Sequence, residues 1–158
     1  MRELIIGKND AGQRVDKFLT KSLGLPTGLL YKSIRLKKIK LNRKRTEPGV
    51  ILCEGDTVQC FLSDEFFDKK VSKNSFESIT PHLDIIYEDE NIILLNKKTG
   101  LLSHPDDSEY IDTLITRTKR YLFEKGEWHP DSENSFTPAL VNRIDRNTSG
   151  IVICAKTA

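Results

Sequence analysis

Apolar positions along this chain change their spacing several times, and each change marks an element. In "QRVDKFLTKSL", Val15, Phe18, Leu19 and Leu23 recur at three- and four-residue steps, which predicts a short amphipathic helix. "LGLPTG" interrupts it, and Thr27 is the expected N-cap of a second helix with Leu30 and Ile34 on one face. "KIKLNRKRT" then alternates at Ile39 and Leu41 and turns at Asn42-Arg43, a hairpin signal without the usual glycine. A Pro-Gly turn, a Gly-Asp turn and an extended run from Val58 to Leu62 follow. Together these predict a compact α+β unit over roughly residues 12–62.

"SDEFFDKKVSKNSFESITP" is polar and holds no period, so residues 63–80 read as a linker. Beyond it, "LDIIY" and "IILLN" flank the acidic turn "EDEN", and "KKTGLLSHPDDS" is loop-like. Ile111, Leu114, Ile115, Thr118 and Leu122 fall at helical offsets, and "IVICA" reads as a buried strand behind the turn "DRNTSG". The expected division is 1–62, 63–80 and 81–158. The expected fold class is α+β: a small N-terminal α+β domain, then a mixed, mainly antiparallel β-sheet with a flanking helix. Three strands and one helix make a marginal core. An interrupted sheet leaves edge groups unpaired, so the second half is expected to be poorly ordered, to self-associate or to take pairing strands from another chain.

Charge sharpens this division. The formal net charge of +2 separates into +7 over residues 1–60 and −5 over residues 61–158. Residues 31–45, "YKSIRLKKIKLNRKR", hold eight cations and no acid. Dense like charge is relieved when phosphates neutralise it and release counterions, so this surface points to a nucleic acid. A solvated basic face is the plainer alternative. Cys53, Cys60 and Cys154 are odd in number and lack metal-ligand spacing, and His82, His104 and His129 are scattered, so neither a disulfide framework nor a metal site is expected. No apolar run approaches the ~20 residues that span a bilayer, and the start lacks the pattern of a signal peptide. The expectation is a cytoplasmic protein with reduced thiols and no membrane partner.

The stretch "VNRIDRNTSGIVICAK" carries the candidate chemistry. Asp145 sits between Arg143 and Arg146, whose charges favour its ionised form. An ionised carboxylate can pair with arginine, accept hydrogen bonds or attack an electrophilic carbon. From these residues alone, a salt-bridged turn and a reactive carboxylate both stand.

Longer patterns add to this. "GQRVDKFL", "LPTGLLYKSIR", "KIKLNRKR" and "PGVILCEGDTV", in that order, resemble the small RNA-binding domain first named for ribosomal small-subunit protein four. Lys37 stands near that pattern's helix-ending glycine, and Arg43 replaces the glycine of an Asn-Gly turn. "IIYEDENIILLNKKTGLLSHP" and "NRIDRNTSGIVICAK" resemble the two first motifs of the RluA-type pseudouridine synthases.

That resemblance implies an isomerase converting uridine to pseudouridine in rRNA or tRNA, with Asp145 catalytic and Arg143, Asn142 and Thr148 supporting it. It implies RNA contacts from Arg14, Lys32, Arg35, Lys37, Lys38, Lys40, Arg43 and Lys44, and neither a metal nor an organic cofactor. Asn142 stands where the family more often has His, and Lys98 replaces a proline after Asn-Lys. Family catalytic domains continue beyond this length, so the 158 residues are expected to be an incomplete catalytic domain, inactive alone. A non-catalytic RNA-binding module of ribosome or translation is the alternative. A hydrolase pairing Asp145 with Asp106, Asp107 or Glu109 is a third reading.

Overall fold

The computed structural model describes residues 1–63, 66–67 and 75–158, in two units: residues 1–71 with 133–136, and residues 72–132 with 137–158. Much of the expected linker lies outside the described residues.

The first unit is a four-stranded antiparallel sheet of order β1-β4-β2-β3, with β1 Arg2–Ile5, β2 Ile39–Leu41, β3 Lys44–Arg45 and β4 Thr57–Cys60. Two helices, α1 (Val15–Leu23) and α2 (Thr27–Arg35), supply the core with Val15, Phe18, Leu19, Leu30 and Ile34, all buried. Fully burying each such side chain stabilises by about 1.5–3 kcal/mol. Thr27 is the first helical residue rather than the cap; Pro26 precedes it with no side-chain cap bond. Within this unit the tetrapeptide 133–136 is held by Asp10, whose carboxylate accepts from Asn134 Nδ2 (2.8 Å) and Ser135 Oγ (2.6 Å).

The missing glycines leave a clear trace. Lys37, Asn42 and Arg43 adopt φ of 59°, 49° and 65°. Lys37 closes α2 in a Schellman-type end, its N–H donating to Ile34 O and the Lys38 N–H to Ser33 O. Neighbours hold the Asn42-Arg43 turn: Asn42 Oδ1 accepts from Thr57 N (2.9 Å), and the buried Gln59 accepts from Arg43 N (2.9 Å). Strain of on the order of 1 kcal/mol per residue is offset by these bonds.

The second unit is a sheet of order β5-β6-β8-β7, with β5 Ile85–Glu88, β6 Ile92–Lys97, β7 Ala139–Leu140 and β8 Gly150–Ala155. Every described pairing is antiparallel, so the mixed sheet expected from sequence is corrected, and the short β7 makes four strands rather than three. Ile93, Leu95, Val152 and Cys154 are buried, as are Leu114, Ile115 and Leu122 of α3 (Leu114–Glu124). Thr113 caps α3, which leaves Ile111 outside the helix and half exposed. Part of the expected linker is structured: Phe76 and Ile79 are buried, and the Phe76 ring lies 5.5 Å from Trp128.

A charged knot closes this sheet. Glu88 accepts from Lys125 Nζ (2.7 Å), Lys156 Nζ (2.8 Å) and Tyr121 Oη (2.7 Å). Burial pushes the Glu88 carboxyl up, but these donors outweigh it and the net is a fall to about 2. A lowered folded pKa means stability that is present above the ordinary glutamate range and lost as pH falls through about 2. The Tm of the second unit's transition should therefore drop between pH 5 and pH 2, and Glu88→Gln should flatten that drop while costing about 1–2 kcal/mol at neutral pH.

Candidate active site and nucleic-acid interface

In the second unit, residues 97–103 bracket the loop that carries Asp145. The Ile144 carbonyl accepts from Ser103 Oγ at 2.9 Å. The Arg146 carbonyl accepts from Gly100 N at 2.8 Å and from Lys97 Nζ at 3.3 Å. The Thr148 carbonyl accepts from Lys97 Nζ at 2.7 Å. Thus the carbonyls of residues 144, 146 and 148 all bond to one segment. Thr148 N donates to Asp145 O at 3.0 Å, closing the turn.

The Asp145 side chain is exposed, and among the described residues its carboxylate makes no ion pair or hydrogen bond. A salt-bridged turn is not what the structure shows. Arg146 turns away, its Nε donating to Gly100 O (3.1 Å) and its Nη1 to Ser108 Oγ (3.3 Å). Arg143 is exposed, and its charge reaches His104, which burial first, then Arg143 and Lys119, hold below the ordinary histidine range.

The supporting residues divide. Asn142 serves β8, donating to Ile151 O (3.1 Å) and accepting from Ile153 N (2.8 Å), as an extra rung of the ladder would. Thr148 contributes through its backbone. Lys98 pairs with Asp84 at 2.7 Å, which ties the turn where the proline is missing. Asp106 and Glu109 accept backbone N–H groups of their own loop, so the hydrolase reading loses those two as free partner acids. A cavity of about 630 Å³ lies beside the loop, with Leu101, Leu102, Leu114, Arg117 and Arg146 in its wall.

Sequence reasoning missed Lys97, Gly100 and Ser103. The signal was available: alternation along β6 puts Ile93, Leu95 and Lys97 on one face, so Lys97 had to point inward. Gly100 has φ 92°, which a side chain would strain at the point where it meets Arg146.

In the first unit, Lys32, Arg35, Lys37, Lys38, Arg43 and Lys44 are all exposed. Lys40 is partly covered and lies over the Phe61 ring at 5.3 Å. A cavity of about 430 Å³ on this unit is lined by Tyr31, Lys32, Arg35 and Arg45, among others. Arg14 differs from the rest: its guanidinium forks onto the buried Asp16 (3.1 and 2.7 Å), which also accepts from Tyr31 Oη. That engagement makes Arg14 a structural cation first.

Residues 91–158 match the family model for RNA pseudouridylate synthase. The chain is similar to the Rlu-type pseudouridine synthases. It is 38% identical over 159 residues to an uncharacterised RNA pseudouridine synthase of Mycoplasma capricolum, covering 99% of this chain and 50% of that one. It is 35% identical to an uncharacterised RNA pseudouridine synthase of Mycoplasma genitalium, covering 98% and 48%. It is 31% identical to the ribosomal large subunit pseudouridine synthase C of Escherichia coli, covering 96% and 45%. The chain spans about half the length of the curated relatives it matches.

If the basic strip of this chain meets phosphates, Lys37, Lys38, Arg43 and Lys44 changed together to Glu should weaken RNA binding and flatten its salt dependence. Single-strand contacts give a slope of roughly −0.7 per phosphate neutralised. A titration across salt concentrations with unchanged slope and affinity would leave the strip a solvated face.

Proposed function

We propose that the protein to which this chain belongs isomerises uridine to pseudouridine in RNA, ribosomal RNA being the substrate class that its named relative suggests. The observation that carries this reading is the Asp145 carboxylate: exposed, unpaired among the described residues, and standing on a backbone fixed at residues 144, 146 and 148. In the reaction the N1–C1′ bond of uridine breaks, the base turns, and a C5–C1′ bond forms; C5 loses its proton and N1 gains one. A free carboxylate can serve it as a nucleophile at C1′ or as a base on the ribose. Uridine must first leave its stack, and the exposed Arg143 two residues away is suited to the vacated position or its phosphate. The first unit is the RNA-binding domain of this reading, with residues 1–62 and 81–158 as its two functional parts. Its setting is the cytoplasm; no helix among the described residues is long and apolar enough to cross a membrane.

Self-association of the second unit belongs to the same proposal. Its sheet ends in β5 and β7, and Tyr87, Val141 and Ile151 leave apolar surface exposed on it. Sedimentation of the 158-residue chain across a concentration series should show mass rising with concentration, and a constant monomer would remove this element.

In the full-length protein, Asp145→Asn should abolish pseudouridine formation and leave RNA affinity nearly unchanged. Asn keeps the size and one acceptor oxygen but can neither attack carbon nor take a proton. Arg143→Ala should cost less, about 10- to 100-fold, by removing an RNA contact. Near-parental yield from Asp145→Asn would return the cluster to a structural role.

A further inference from the structure

Three basic side chains meet beside the Asp145 loop. Ser103 Oγ donates to the Ile144 carbonyl at 2.9 Å, and the Ser103 carbonyl accepts from Ile115 N at 3.2 Å. One residue thus joins that loop to the first turn of α3. His104 follows Ser103, Arg143 precedes Ile144, and Lys119 stands one helical turn past Ile115 on the same face. Burial first, then the charges of Arg143 and Lys119, hold the His104 imidazole below its ordinary range, and no carboxylate offsets them. Asp145 is the nearest acid in sequence, and among the described residues it pairs with none of the three. Lys119 is the informative member. The other cations of α3 are paired, Arg117 with Asp112 at 2.6 Å and Arg120 with Glu124 at 2.7 Å. Lys119 is half-buried, yet among the described residues its ammonium makes neither an ion pair nor a hydrogen bond. Burial lowers its pKa, and only the Cys154 side chain acts the other way. Packing of the stem explains the cover of its methylenes, but an apolar side chain would pack there without the cost of an unpaired charge.

We propose that Lys119, His104 and Arg143 form an anion subsite that takes one phosphodiester of the RNA beside the target uridine. This rests on the reading of Asp145 as the reacting group, and it adds Lys119 and His104 to a contact so far given to Arg143 alone. A phosphate supplies the acceptor oxygens that the three side chains lack. Lys119 and Arg143 donate to it as cations, and His104 donates a ring N–H in either protonation state. The incoming negative charge offsets Arg143 and Lys119 and so favours the imidazolium. RNA binding is therefore coupled to proton uptake at His104, and affinity rises as pH falls through the histidine range. The charges that reach His104 are Arg143 from the loop and Lys119 from α3. Of the groups around them, Cys154 of β8 senses Lys119, and Asp106, on the same loop as His104, is taken up by Ser108 and the Glu109 N–H.

Inorganic sulfate, whose charge is constant over the histidine range, is the first probe. In the 158-residue chain, saturating sulfate should move the NMR titration of the His104 ring protons up by about half a pH unit. A short uridine-containing RNA should give the same rise at lower concentration and displace the sulfate. Lys119→Gln should raise the His104 pKa of the free chain, because one positive charge is gone, and should remove most of the response to sulfate. Lys119→Arg should restore it. In the full-length protein, Lys119→Gln should raise the KM for RNA by about 10-fold, with a smaller effect on kcat, and reduce the salt slope of binding by roughly 0.7. A His104 titration that sulfate and RNA leave unmoved overturns the proposal, as does an equal response in folded Lys119→Gln. Sulfate that binds but is not displaced by RNA would make this a site for free anions, and that also overturns it. If the variants do not fold, the parental titration with RNA decides alone. A full-length parent that makes no pseudouridine refutes the proposed function instead, while the sulfate and RNA titrations still report on the subsite.

Discussion

An ammonium group cannot be taken out of water unless acceptors surround it, and in the second unit that requirement organises the candidate site. Strand alternation carries Lys97 into the interior with Ile93 and Leu95. Once there, its three N–H groups need three oxygens, and the adjoining chain supplies only one, Lys98 O just past the strand. The other two come from residues 146 and 148, some fifty positions later in the chain. The loop holding Asp145 is thus drawn over the end of β6 by the solvation needs of one side chain. Gly100 and Ser103 complete the attachment, each with a single hydrogen bond to a neighbouring carbonyl of the loop. Without the buried charge, the turn "DRNTSG" would still be tied to Gly100 and Ser108 through Arg146, but the Thr148 carbonyl would lose its bond to residue 97.

The first unit handles charge differently. Its cations stay in solvent, and the difficulty lies in the backbone beneath them. Three residues with side chains occupy left-handed conformations within seven positions, all inside the basic segment. Glycine at these positions would relax the chain but would remove the charges of Lys37 and Arg43. The sequence keeps the charges and fastens the turn from below with Gln59, Asn42 and Asp56. A rigid hairpin presents its cations at fixed separations, and less side-chain and backbone entropy is then lost when a polyanion binds.

Much of this was legible in the sequence where period and burial coincide. Val15, Phe18, Leu19 and Leu23 predicted α1, and the extended apolar runs predicted β5, β6 and β8. The strand Arg2–Ile5 was invisible because three of its four residues are exposed; it pairs antiparallel with β4, and Leu4 alone of its residues turns to the core. β7 is two residues long, too short for any period. Ile111 matched the helical spacing of α3 by coincidence, and the Thr113 cap, reciprocated by Thr116, set the true start. Family motifs pointed to Asp145 but said nothing of how its loop is held. Two adjacent lysines look alike in a sequence, and only the strand phase separates the buried one from the exposed one.

The Arg-Asp-Arg sequence shows why adjacency is a poor guide to pairing. Arg146 is held on Gly100 and Ser108, and Arg143 makes no ion pair with Asp145 among the described residues, so neither closes on the carboxylate although both flank it. Arg146 is held against the backbone of Gly100, and its carbonyl, not its guanidinium, faces the Lys97 ammonium. The result separates two requirements that conflict in most polar sites. Holding a carboxylate in place by hydrogen bonds to its oxygens would make it a weaker nucleophile and a weaker base. Here the restraint acts on the carbonyls of the flanking residues, so the oxygens of Asp145 remain available. Position is fixed through the main chain, and the carboxylate oxygens are left open to solvent.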